Sequence, residues 1–98
     1  MKRDIDNEAR IADLLARMTL DEKVGQLVQV SSDWRATGPV SFKGRLRDDL
    51  IEGRIGSMLN VLGTRYPRAY QALALQSRLG IPLLFGMDVI HGYLTTFP

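Results

Sequence analysis

The chain has 98 residues, 45% of them hydrophobic and 24% charged, which is enough for one ordinary domain or a piece of a larger one. It has no cysteine and one histidine, His91, so disulfides, thiolate metal ligands and an imidazole-rich zinc site within these residues are excluded. The formal charge is +2 and the pI about 9.3, but the basic residues are interleaved with acids along the chain, where a nucleic-acid footprint would cluster them.

No apolar segment approaches the roughly 20 residues needed to cross a bilayer, so no membrane partner is expected. The charged start, Met1-Lys2-Arg3-Asp4, leads into an amphipathic stretch and lacks the apolar core of a secretory signal, which makes the cytoplasm the default compartment. Ile5, Ala9, Ile11, Ala12, Leu14, Leu15 and Met18 fall at helical spacing between charged residues and predict an amphipathic helix over 5–18 that covers a core. Thr19 stands three residues before Glu22, the pattern of a capping box, and opens a short second helix through about Leu27. These two helices are expected to precede any good strand.

Residues 31–44 carry Ser, Gly, Thr and Pro without periodicity and read as a loop. Leu46, Leu50 and Ile51 are spaced for another short helix, which Gly53 is placed to end. The apolar run 55–61 then reads as a buried strand ending near Asn60. Tyr66-Pro67 starts a further helix that Leu73, Leu75, Gln76 and Leu79 fill and Gly80 stops, and residues 82–87 form the next strand. Strand, helix, strand, with both strands apolar throughout, is the pattern of a parallel βαβ unit buried on both faces. The fold class expected is therefore α/β, with strands of the kind found in barrels or doubly wound sheets; read as a partial (β/α)8 barrel, the chain has N-terminal helices followed by the first two parallel βα units. A complete barrel needs about 250 residues, so this chain supplies about a quarter of one.

Three stretches, in this order, carry a resemblance: Leu15-Ala16-Arg17-Met18-Thr19-Leu20-Asp21-Glu22-Lys23-Val24-Gly25-Gln26-Leu27, then Gly53-Arg54-Ile55-Gly56-Ser57, then Ser77-Arg78-Leu79-Gly80-Ile81-Pro82-Leu83-Leu84-Phe85-Gly86-Met87-Asp88-Val89-Ile90-His91-Gly92. Together they resemble the N-terminal part of a family-3 glycoside hydrolase of the bacterial β-glucosidase type. The resemblance implies a (β/α)8-like first domain, of which residues 1–98 are an N-terminal fragment, followed by an α/β sandwich domain. It also implies β-linked glucoside or xyloside substrates, cleavage from the non-reducing end with retention of configuration, no cofactor, and a periplasmic location open to the full-length protein.

In that family an aspartate matching Asp88 binds hydroxyls of the sugar in the −1 subsite, and an ionised carboxylate suits that task as a two-oxygen acceptor of charge-assisted hydrogen bonds. Without the resemblance, Asp88 reads equally as a turn or capping carboxylate. His91 is a candidate general acid or base by its near-neutral pKa, set against a structural role holding the loop after the strand. Retention requires a nucleophile and an acid/base about 5–5.5 Å apart. The resemblance places both outside this sequence, so no catalytic residue is assigned here and the isolated chain is expected to be inactive. Ser32-Asp33-Trp34 imitates the tripeptide around the family's nucleophile but falls in a loop, where it reads as a surface turn. Leu94 replaces the arginine usual after His-Gly-Tyr, so any ion pair made from that position is lost. The competing reading is a non-catalytic carbohydrate-binding or truncated, inactive protein.

Overall fold

The first helix begins earlier than its apolar spacing suggests. In the computed structural model, which describes residues 2–31 and 44–88, α1 spans Lys2–Arg17 and carries an Asp13–Arg17 ion pair of 3.1 Å one turn apart. Its expected role as a core cover holds only in part among the described residues: Leu14 and Met18 are half-buried, while Ile5, Ile11 and Leu15 are exposed. The amphipathic pattern is there, but an apolar stripe is buried only where another element supplies an opposing surface.

The second helix, α2 (Leu20–Gln26), starts as the sequence indicates. Glu22 N–H donates to Thr19 Oγ1 at 3.2 Å while Thr19 N–H donates to Glu22 Oε1 at 2.9 Å, so two orphan donors of the first turn are satisfied reciprocally. Three residues later comes a strand that was not anticipated, β1 (Gln29–Ser31). It lies where the helix and the loop were expected to meet. With one half-buried apolar residue, Val30, between two exposed polar ones, it has no local signature. Its conformation comes from the ladder it joins. The expectation of two strands is thus corrected to three.

After α3 (Leu46–Ile51), Gly53 adopts a φ of 75°, the left-handed conformation that ends a helix at little cost only in glycine. The strand β2 (Ser57–Leu59) follows, then α4 (Arg65–Ala74) and β3 (Leu84–Gly86). α4 stops about five residues short of its expected end. Beyond Ala74 the bonds tighten to three-residue spacing, from Gln76 to Leu73, Ser77 to Ala74 and Gly80 to Ser77. The turn so formed carries Arg78 back toward α2.

The sheet is parallel with order β1-β2-β3. Val30, Met58 and Phe85 stand in one register row, flanked by the rows Gln29, Ser57, Leu84 and Ser31, Leu59, Gly86. Since side chains alternate across a strand, Met58 faces one side and Ser57 and Leu59 the other. The core gathers on the Met58 side: Leu50 (1% exposed) from α3 and Tyr70, Leu73 and Ala74 from α4 close over it with Ile55, Val61 and Leu83. Gln71 of α4 fastens the approach to β3. Its Oε1 accepts Leu83 N–H at 2.7 Å and its Nε2 donates to Leu83 O at 3.3 Å, so the main chain is paired before the ladder begins.

The reading of the last strand as fully buried is overturned: Leu84 is 76% exposed and Phe85 39%. An apolar run of strand length indicates the environment a strand is suited to, and β3 is an edge whose outer side and second face no described element covers. The described residues are accordingly α/β, three parallel strands with α3 and α4 on one face.

Candidate functional site

The three motifs serve two ends of the sheet. At the amino ends of the strands, the glycines let backbones meet. A Cβ on Gly25 would overlap Gly53 O and come within 2.9 Å of Arg54 Cα, and a Cβ on Gly56 would overlap the Gln26 carbonyl, 2.7 Å from Gln26 Cα. The segment around Gly25-Gln26 and the segment 53–56 therefore interlock main chain to main chain, and Gly53-x-x-Gly56 is a packing device.

The third motif is tied to the same end by Arg78. Its guanidinium forks onto Glu22, with Nε donating to Oε2 at 3.2 Å and Nη2 to Oε1, and Nη2 also donates to Arg17 O at 2.7 Å. Glu22 is thus held by α2's own cap and by a residue 56 positions away. The Arg78 hydrogen bond, and after it the Thr19 backbone bond, hold the Glu22 carboxyl down to about 2 from an ordinary 4.5, and the Arg78 guanidinium is correspondingly pushed up by Glu22. A groove of about 600 Å³ between α1 and residues 79–82 also opens at this end, with Arg10 and Arg17 beside Ile11, Leu14 and Ile81.

Asp88 belongs to the opposite end, beyond the carboxyl terminus of β3. Its main chain is bonded to Asn60, the residue after β2. Asn60 N–H donates to Gly86 O at 2.9 Å, extending the ladder one step, and Asn60 Oδ1 accepts Asp88 N–H at 2.9 Å. To do both, Asn60 takes a φ of 61°, the only positive φ among the described non-glycine residues. Asparagine tolerates this region better than other side chains, and its amide is short enough to reach across to the neighbouring strand end. Asn60 was read only as the end of a strand. The one sequence signal at this position, an Asn directly after a buried run, is too common to be specific.

Asp88 is exposed, and among the described residues no hydrogen bond or ion pair engages its carboxylate. What stands at this edge is a carboxylate with a fixed main chain, presented past the ends of parallel strands. Chemically it can accept hydrogen bonds from hydroxyl or N–H groups, or face a cation. No group of three or more metal-ligating side chains occurs among the described residues, and none of their helices is long and apolar enough to cross a membrane. His91, the Ser32-Asp33-Trp34 tripeptide and Leu94 lie outside the described residues.

No family model matches the chain. It is, however, 41% identical over 93 residues to the periplasmic β-glucosidase of Salmonella typhimurium, a match that takes in 93% of this chain and 11% of that protein. The chain thus spans about a ninth of the length of its relative, and the likeness read from three short motifs runs through almost all of the 98 residues as that of a β-glucosidase-like protein.

Proposed function

We propose that these residues are the N-terminal part of the (β/α)8 domain of a family-3 retaining β-glycosidase, and that Asp88 binds hydroxyls of the sugar in its −1 subsite. The observation that supports this best is one position with two properties: Asp88 lies exposed past the carboxyl end of a parallel strand, inside a stretch closely similar to a β-glucosidase. Barrel enzymes build their sites at that end. The one-sided packing of the sheet fits the same architecture. α3 and α4 cover the Met58 face as the outer ring of a barrel does, and the face bearing Leu59 and Leu84 is left for the interior. Asp88, two residues past Gly86, continues the parity of that inner face.

The substrate is a β-linked glucoside or xyloside. Asp88 holds hydroxyls of the non-reducing sugar, while the nucleophile and the acid/base come from the remainder of the enzyme, so this chain positions a sugar and breaks no bond. Two experiments test the reading. The isolated chain is expected to release no chromophore from a chromogenic β-glucoside; turnover abolished by Asp88→Asn would overturn the proposal. When residues 1–98 replace the matching segment of the Salmonella enzyme, Asp88→Asn is expected to lower kcat/KM by about tenfold or more, the loss of a charge-assisted hydrogen bond. An unchanged kcat/KM removes Asp88 from the subsite.

A further inference from the structure

We infer that Asn60 is the positioning residue for Asp88: the geometry assigns it the task of fixing where the carboxylate stands at the strand ends. The inference rests on the sugar-binding reading of Asp88 for its functional consequence, and on geometry alone for its structural part. Two bonds converge on this residue from the next strand, one to its main chain from Gly86 and one to its side chain from Asp88, 28 residues further on. The first is a ladder bond that any non-proline residue can make. The second needs a side-chain oxygen held at short reach, and in β3 and its continuation it comes after the regular pairing has ended at Gly86.

A backbone in the left-handed region favours glycine, which has no Cβ to crowd the carbonyl. Asparagine at a φ of 61° accepts a conformational cost that glycine would avoid, and what it gains is the amide oxygen on the Asp88 N–H. Without that acceptor, the two residues following β3 have no described tie to β2. With it, the Asp88 main chain is pinned, and the carboxylate is left with only its own side-chain torsions. Pinning of this kind lets a binding group meet its ligand without first being ordered. Asn60 touches no substrate in this scheme. It acts through Asp88.

Replacement by glycine removes the acceptor while easing the backbone, and replacement by aspartate keeps an oxygen at the same reach while adding charge. Amide exchange in the 98-residue chain, followed by NMR, is expected to show Asp88 N–H protected in the wild type, to lose about tenfold of that protection in Asn60→Gly, and to regain it in Asn60→Asp, with core amides such as that of Met58 unchanged. In the Salmonella chimera, Asn60→Gly is expected to lower kcat/KM by about tenfold through KM. Asn60→Asp should recover most of the loss, because it restores an oxygen that accepts the Asp88 N–H.

Protection and kcat/KM both unchanged in Asn60→Gly overturn the inference. If Asp88→Asn leaves the chimera unaffected while Asp88 protection still depends on Asn60, the positioning stands and the sugar-binding reading falls. If Asp88→Asn is damaging and Asn60→Gly is silent, the reverse holds.

Discussion

Gly25→Ala is a substitution for which local and tertiary arguments give opposite signs. Gly25 lies inside α2, where alanine is favoured over glycine by about 1 kcal/mol, so helix propensity alone predicts stabilisation. The added methyl, however, would overlap Gly53 O and crowd Arg54 Cα at 2.9 Å, and these are main-chain atoms that no rotamer change can move aside. Relief requires α2 and the turn after α3 to separate, which places the cost near the upper end of the overpacking range, about 3 kcal/mol. The net expectation is a loss of about 2 kcal/mol, a large share of the stability of a small domain. Gly63→Ala serves as the reference. Its φ of 74° imposes a backbone cost of about 1–2 kcal/mol, but nothing lies within 4 Å of the added Cβ. Urea denaturation followed by far-ultraviolet circular dichroism measures both, and the m value checks that the same transition is compared. A Gly25→Ala chain as stable as the wild type, or more stable, would refute the claim that backbone contact explains the first two motifs.

Other expectations follow from the same structure. The Glu22 carboxyl sits near 2 in the folded chain against an ordinary 4.5, so its contribution to stability is fully present above about pH 4.5 and is lost as pH falls through about 2; Glu22→Gln, which keeps a cap acceptor, should flatten that acid dependence in thermal melts between pH 2 and 5. Leu50→Ala should cost about 2–5 kcal/mol in denaturant titrations because the side chain is fully enclosed, whereas Leu20→Ala, on an exposed position, should stay within about 0.5 kcal/mol. Leu84→Lys should reduce concentration-dependent association of the isolated chain, measured by sedimentation velocity, by placing a charge on the exposed edge of the sheet.

Within the candidate site, Asp88 was legible as a candidate because a carboxylate directly follows an apolar strand-length run, though its sugar-binding role came from the resemblance and is still a proposal. Asn60 was not legible, since its importance depends on which strand lies beside it. Glu22 was read as a cap, and its second partner, Arg78, escaped notice for the same reason.

What the chain order alone determined is what neighbours within about four residues can decide: the capping box of Thr19 and Glu22, the stop at Gly53, the helix 46–51, and the helix-to-strand alternation behind the α/β class. These depend on hydrogen bonds and steric limits between residues close in sequence, so the residue types suffice. Only the tertiary structure decided that Gln29–Ser31 is a strand, that α1 leaves Ile5, Ile11 and Leu15 exposed, that α4 ends at Ala74, and that Gly25 and Gly56 are points of backbone contact. In each case the free energy comes from a partner far along the chain, whether a ladder, an opposing apolar surface or a clash, and no local pattern records its presence or absence.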